Sequence, residues 1–328
     1  MKQFYKRKMR RMTAALIIAF TLCMQAVAAM PASLIPGGGT VGIKLYTGGL
    51  LITALEDDAP AELAGLRAGD TIVKINGERV SSVSDVSARL SSGNSVCIGI
   101  LRGQKEAEFL VTPAKAPTGY KLGLSLRDSI SGIGTITFYD PETGVYGALG
   151  HGVNGLSGTQ PLRTTGGILV ASSVASVKKG VRGTPGELHG SFDVSTAIGT
   201  VSQNETHGIF GTLKKAPDQP ALAVADASQV RTGPAVILAN VDGTQVQEYC
   251  VRIEKLYPQA ENGRNLLLTV TDEQLLEKTG GIVQGMSGSP ILQNGKLIGA
   301  VTHVLVNRPE QGYGVFMETM LSQCQAYQ

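Results

Sequence analysis

The 328-residue chain contains no tryptophan, few aromatics (5 %) and few charges (17 %), well short of the quarter usual in globular domains. Its four cysteines show no metal-ligand spacing. Setting Cys23 aside leaves Cys97, Cys250 and Cys324, an odd number, so at most one disulfide can form and buried free thiols are expected. No cofactor motif occurs. The first 28 residues hold no acid, and Lys2, Lys6, Arg7, Lys8, Arg10 and Arg11 gather there. That cluster creates the formal charge of +3. Without it 23 basic residues face 26 acidic ones, a balance of −3 that gives nucleic acid no electrostatic footprint.

Glycine is in excess, 42 residues without a collagen period, beside an apolar fraction of 42 % that is too high for wholesale disorder. Short strands joined by tight turns are the expected material. Met12 to Ala29 is almost wholly apolar or small and ends in Ala26-Val27-Ala28. Residues 1–28 therefore predict a secretory signal cut after Ala28, with an uncleaved membrane anchor as the alternative. Either places the remainder outside the cytoplasm.

Over residues 34–113, Val41, Ile43 and Leu45 alternate as in a strand, and Leu50-Leu51-Ile52 is a second apolar run. Asp58 is placed to cap a short helix with Pro60 in its first turn. Thr71–Ile75 predicts a strand, Asn76-Gly77 a hairpin turn, and Ser84–Leu90 a helix with Val86 and Leu90 on one face. The string from Ala59 to Val80, APAELAGLRAGDTIVKINGERV, resembles a PDZ domain. Such a domain gathers backbone N–H groups around a terminal carboxylate at a glycine loop that leads into a strand. Val41, Gly42 and Ile43 fit that loop and are the candidate peptide-binding residues, for a partner's peptide or a segment of the chain itself.

Residues 114–119 read as a linker. Beyond it, over 120–328, strand-like runs alternate with glycine and Asn/Asp turns, and only Asp272–Glu277 suggests a helical turn. No strand–long helix alternation supports a doubly wound sheet, so an antiparallel barrel or pair of barrels is expected. Within this stretch, Gly285-Met286-Ser287-Gly288-Ser289-Pro290 resembles the G-x-S-G-x-P signature of chymotrypsin-like serine proteases. Glycine two residues before the serine frees the backbone, so the N–H groups of Gly285 and Ser287 can serve a developing oxyanion. Ser287 needs a base. Of the four histidines, His151 lies between glycines in Gly150-His151-Gly152, whereas His303 sits mid-strand as a packed or pocket-wall residue and His189 and His207 lie in polar turns. For the orienting acid, spacing alone leans to Asp193, and Asp272 also keeps the order His, Asp, Ser, although Asp272 suits helix capping as well.

Gly280–Pro290, followed by Ile298-Gly299-Ala300-Val301-Thr302-His303-Val304, closely resembles the stage IV sporulation protein B family of endospore-forming bacteria. The resemblance implies a mainly β protein: a small α+β PDZ domain followed by a chymotrypsin-like antiparallel β-barrel peptidase. It implies Ser287 as nucleophile, His151 as base and Asp272 as acid; no metal or cofactor pattern exists in the sequence. It further implies export across the forespore membrane, self-cleavage, and cutting of a regulatory subunit of a membrane-embedded protease complex in late sigma-factor signalling. A non-catalytic secreted PDZ adaptor is the competing reading.

Overall fold

The computed structural model describes residues 30–327 apart from 104, 157 and 159, with the side chains at 193 and 194 also outside the description. The expected signal segment and Cys23 lie outside the described residues. Among those described, no helix is long and apolar enough to cross a membrane.

The strand Thr40–Leu55 organises everything that follows. Its first half, Thr40–Tyr46, pairs on one edge with Ser129–Thr135 and on the other with Gly166–Ala171. The ladders continue through Val145–Ala148, Gly208–Leu213, Glu187–Glu205 and Gly166–Lys178. These pairings close a ring of six antiparallel strands around Ile43, Leu45, Tyr146, Leu169 and Ile209. A second six-stranded barrel, closed in its own right, runs from Gly233–Ala239 to Arg308–Phe316 around Ile237, Val251, Leu268 and Val301.

A bulge divides the long strand. Thr47–Leu50 stands opposite Asp128 alone, Gly48 takes φ +69°, and the Thr47 hydroxyl is shared between the Gly49 and Asp128 carbonyls at 2.7 and 3.0 Å. Beyond it the same sheet continues into the small domain, Leu50 and Leu51 pairing with Ile72 and Thr71. Val96–Arg102 and Lys105–Val111 extend that sheet, and the helices Pro60–Leu63 and Val83–Leu90 cover its core of Leu50, Ile72, Ile98, Val86 and Leu90. The second helix forms as expected, with the Ser82 hydroxyl accepting from the Asp85 N–H and the Asp85 carboxylate accepting from the Ser82 N–H. For the first, the expectation is corrected. The cap position belongs to Ala59, and Asp58 lies outside it at φ +57°, its N–H bonded to the Glu62 carboxylate.

Two further expectations change. The small domain does not run continuously from residue 34, because Ser33–Pro36 pairs with Phe138–Tyr139 and Leu222–Ala223, Thr40–Tyr46 is a stave of the first barrel, and the domain is inserted behind them. Nor is 114–119 an open linker. Ala114–Ala116 and Gly119–Lys121 pair as a hairpin, after which Leu122 packs into the small core and Leu124–Arg127 adds a strand beside Leu51–Leu55. The barrels are joined by a shared apolar cluster of Phe138 and Phe210, Leu297 and Val315, and Met320 and Leu321 of the closing helix Met317–Leu321. Tyr327 ties the end of the chain down, its hydroxyl donating to the Asp140 carboxylate at 2.6 Å. The three cysteines are free, with Cys324 buried as expected, Cys97 half-buried and Cys250 exposed.

Candidate active site

Ser287 lies in the turn that leads into the strand Pro290–Gln293 of the second barrel. The turn is stitched to its surroundings: Met286 N–H donates to the Val283 carbonyl, Gly288 N–H to that of Val301, and Ser289 N–H to that of Met286. From the first barrel, Thr135 clamps it twice, its hydroxyl donating to the Gly285 carbonyl at 2.8 Å and its N–H to the Ser287 carbonyl at 3.0 Å. Among the described residues the N–H groups of Gly285 and Ser287 have no backbone acceptor. Two donors left over in an otherwise saturated turn are what an oxyanion site requires. Gly285 reaches this geometry at φ +100°.

His151 comes from the first barrel, just past the strand Val145–Ala148. The chain swings it out through two left-handed residues, Leu149 at φ +70° and Gly150 at φ +68°. Its Nδ1 lies 2.9 Å from the Gly152 carbonyl. A carbonyl only accepts, so Nδ1 carries the hydrogen and the Nε2 lone pair is free to take a proton. Burial holds His151 below the ordinary 6.5 of histidine, partly opposed by the Gly152 carbonyl.

Both residues line one cleft of about 490 Å³ between the barrels, walled by Ile43, Leu45, Ile133, Ile282 and Val304 and by a second imidazole, His303. The Ser287 hydroxyl donates to the Thr302 carbonyl at 2.9 Å. Among the described residues no cluster of His, Cys, Asp or Glu gathers to hold a metal ion.

The structure thus brings His151, Ser287 and Gly285 together and leaves the implied acid elsewhere. Asp272 caps the helix Glu273–Thr279, one oxygen accepting from Leu275 N–H and the other from Cys250 N–H. No described carboxylate contributes to the His151 shift. Position 193 lies in the strand Glu187–Glu205 of the first barrel. The peptide-binding assignment is corrected. Val41, Gly42 and Ile43 are barrel residues with both strand edges paired, so no peptide can add there, and Ile43 is a wall of the catalytic cleft instead. His207 lies in a turn as expected but is buried and bonds the Glu261 backbone, whereas His189 sits exposed in a strand and not in a turn. Thr135 and the Gly152 carbonyl carried no sequence signal, since their role depends only on which strand end meets the turn.

Residues 51–100 match the profile of a PDZ domain. A probable periplasmic DegP-like serine endoprotease of Bartonella henselae is 35 % identical over 75 residues, 22 % of this chain and 14 % of the relative. Serine protease HTRA1 of Xenopus laevis is 39 % identical over 67 residues, 20 % of this chain and 15 % of the relative. The chain therefore spans about a seventh of the length of these relatives. Among solved structures, the active form of the Rv3671c protease from M. tuberculosis aligns at 17 % identity and a TM-score of 0.34, covering 59 % of this chain and 73 % of that one. Residues 118–321, well over half the chain and including His151 and Ser287, match the profile of the SpoIVB peptidase S55 family, and it is to this family that the chain belongs.

Proposed function

We propose that the protein is a serine endopeptidase that cleaves protein substrates between its two barrels. The observation that carries this reading is one cleft holding a hydroxyl, an imidazole with a free lone pair, and two unspent backbone N–H groups. As the Ser287 oxygen bonds to a peptide carbonyl carbon, its proton passes to His151 Nε2 and the carbonyl electrons move onto the oxygen held by Gly285 and Ser287 N–H. His151 then gives the proton to the departing amine as the C–N bond breaks. Water releases the acyl group by the same route. For the first step the hydroxyl has to leave the Thr302 carbonyl, which accepts a hydrogen bond but cannot take a proton.

In finer detail, the reading is of an exported sporulation protease at a membrane surface, trimming its own N-terminal part and cutting a regulatory subunit of a membrane-embedded protease complex. Membership of the SpoIVB peptidase S55 family and the basic-apolar start of the sequence support it. The adaptor alternative needs Val41-Gly42-Ile43 as an open carboxylate loop, and those residues are built into the first barrel. Ser287→Ala is expected to abolish fluorophosphonate labelling, cleavage of casein and N-terminal trimming while leaving the circular dichroism spectrum intact. Full cleavage by the folded variant would refute the assignment.

A further inference from the structure

The cleft that holds Ser287 and His151 has no formal charge of its own. Among the described residues that line it there is no Asp, Glu, Lys or Arg. Nor do its two imidazoles supply one near neutrality, since burial holds both below the ordinary histidine value, with His303 pushed down to about 4. What reaches the opening is aliphatic: Ile130 and Ile133 from the first barrel and Val304 from the second, each half-buried, beside the buried Ile43, Leu45 and Ile282. The fold aims Ile133 at this space. Thr135 sends its hydroxyl across to the Gly285 carbonyl, and Ile133, two residues earlier in the same strand, projects from the same face. Gly134 between them faces the other way, toward Leu149 and Ile43 inside the barrel. On the far wall Val304 stands two residues beyond Thr302, whose carbonyl receives the Ser287 hydroxyl.

We infer that the protease selects an uncharged aliphatic side chain on the substrate residue whose carbonyl is attacked, and that Ile133 and Val304 read it. The inference rests on the serine peptidase reading of the cleft and adds its substrate class. The attacked carbon has to lie at the Ser287 oxygen, with its own oxygen toward the Gly285 and Ser287 N–H groups. The side chain of that residue begins two bonds away, so it is held in the same cleft. It stays there while the acyl group is bound to Ser287, and both halves of the reaction depend on it. A charged side chain in that place would lose water without meeting an opposite charge. An aliphatic one takes its own surface and that of the walls out of water together. Arg264 acts on His303 from outside the lining and lies over the Tyr313 ring, so it brings no counter-charge into the cleft.

Peptidyl diphenyl phosphonates test this on the full chain. The Ser287 oxygen bonds to phosphorus, a phenoxide leaves, and the serine proton passes through His151 to that phenoxide. One reaction thus reads the nucleophile and the side chain presented beside it. A series with two alanines followed by the phosphonate analogue of valine, leucine, lysine or glutamate varies that side chain alone. We expect kinact/KI for the valine and leucine members to exceed that for the lysine and glutamate members about 10–100-fold. Val304→Glu should raise the lysine member relative to the leucine member about 10-fold, by supplying the missing counter-charge. Should that variant not fold, Ile133→Glu, on the opposite wall, replaces it. A fluorophosphonate that carries no amino-acid side chain, run beside each series, reports whether the nucleophile is intact. A wild-type protein that takes the fluorophosphonate but reacts with the charged members as fast as with the aliphatic ones, or with none of the series, overturns the inference. So does a variant that takes the fluorophosphonate and keeps the wild-type ratio. A wild-type protein that does not take the fluorophosphonate would instead overturn the peptidase reading itself.

Discussion

Gly288 stands at φ +98°, and a methyl group there would lie 2.1 Å from the Thr135 carbonyl oxygen and 2.5 Å from Leu149 N. No side chain fits without pushing one barrel off the other. Gly288→Ala is expected to cost about 1–3 kcal/mol, the scale of stored backbone strain, read as a lower urea midpoint. It should also abolish fluorophosphonate labelling, since the clash bears on the strand end that clamps the nucleophile. The imidazoles of His151, His207 and His303 set a second expectation. Their native pKa values lie below 6.5, for His303 at about 4, so on acidification the unfolded chain binds protons that the native state refuses. Their contribution to stability is complete above about pH 6.5 and is lost as the pH falls toward about 4. Urea midpoints taken across that window should decline, and less steeply in His303→Gln.

Elements show where a sequence speaks clearly and where it does not. The helix Val83–Leu90 announced itself through Val86 and Leu90 on one face, and the turns Asn76-Gly77 and Asn294-Gly295 adopt the paired positive φ values that such dipeptides favour. The serine turn was equally legible, because its chemistry is carried by consecutive residues. Val41, Ile43 and Leu45 revealed a strand with a buried face but not the sheet that receives it, since partner choice is a long-range matter. The pattern was right and the destination wrong. Asp272 was ambiguous for a similar reason: a carboxylate after a strand serves an imidazole or a helix, and only the packing decides. As a cap it makes a distinct prediction. Asp272→Ala should lower stability by about 1 kcal/mol and Asp272→Asn should not, measured by thermal unfolding. Leu122, which follows the hairpin that composition reads as a linker, belongs to the core that holds Val86 and Leu90. Leu122→Ala is expected to cost about 2–5 kcal/mol by the cavity it leaves.

For the molecule as a whole, the order of strands matters more than the tally of modules. The chain lays down one stave of the first barrel, leaves to build the small domain, and returns with the strand Leu124–Tyr139 to pair with what it left behind. A fragment of residues 120–328 therefore lacks the stave between Ser129–Thr135 and Gly166–Ala171, exposing two unpaired edges. That fragment is expected to aggregate on size exclusion, whereas a chain beginning at Met30 elutes as a compact species with the full strand signal. The same arrangement limits how far the chain can be trimmed from its N-terminal side. Ser33–Pro36 is already zipped between Phe138–Tyr139 and Leu222–Ala223. Any cut that leaves a working protease has to fall upstream of that zip, since a nick only a few residues later would free the strand that ties Phe138–Tyr139 to Leu222–Ala223.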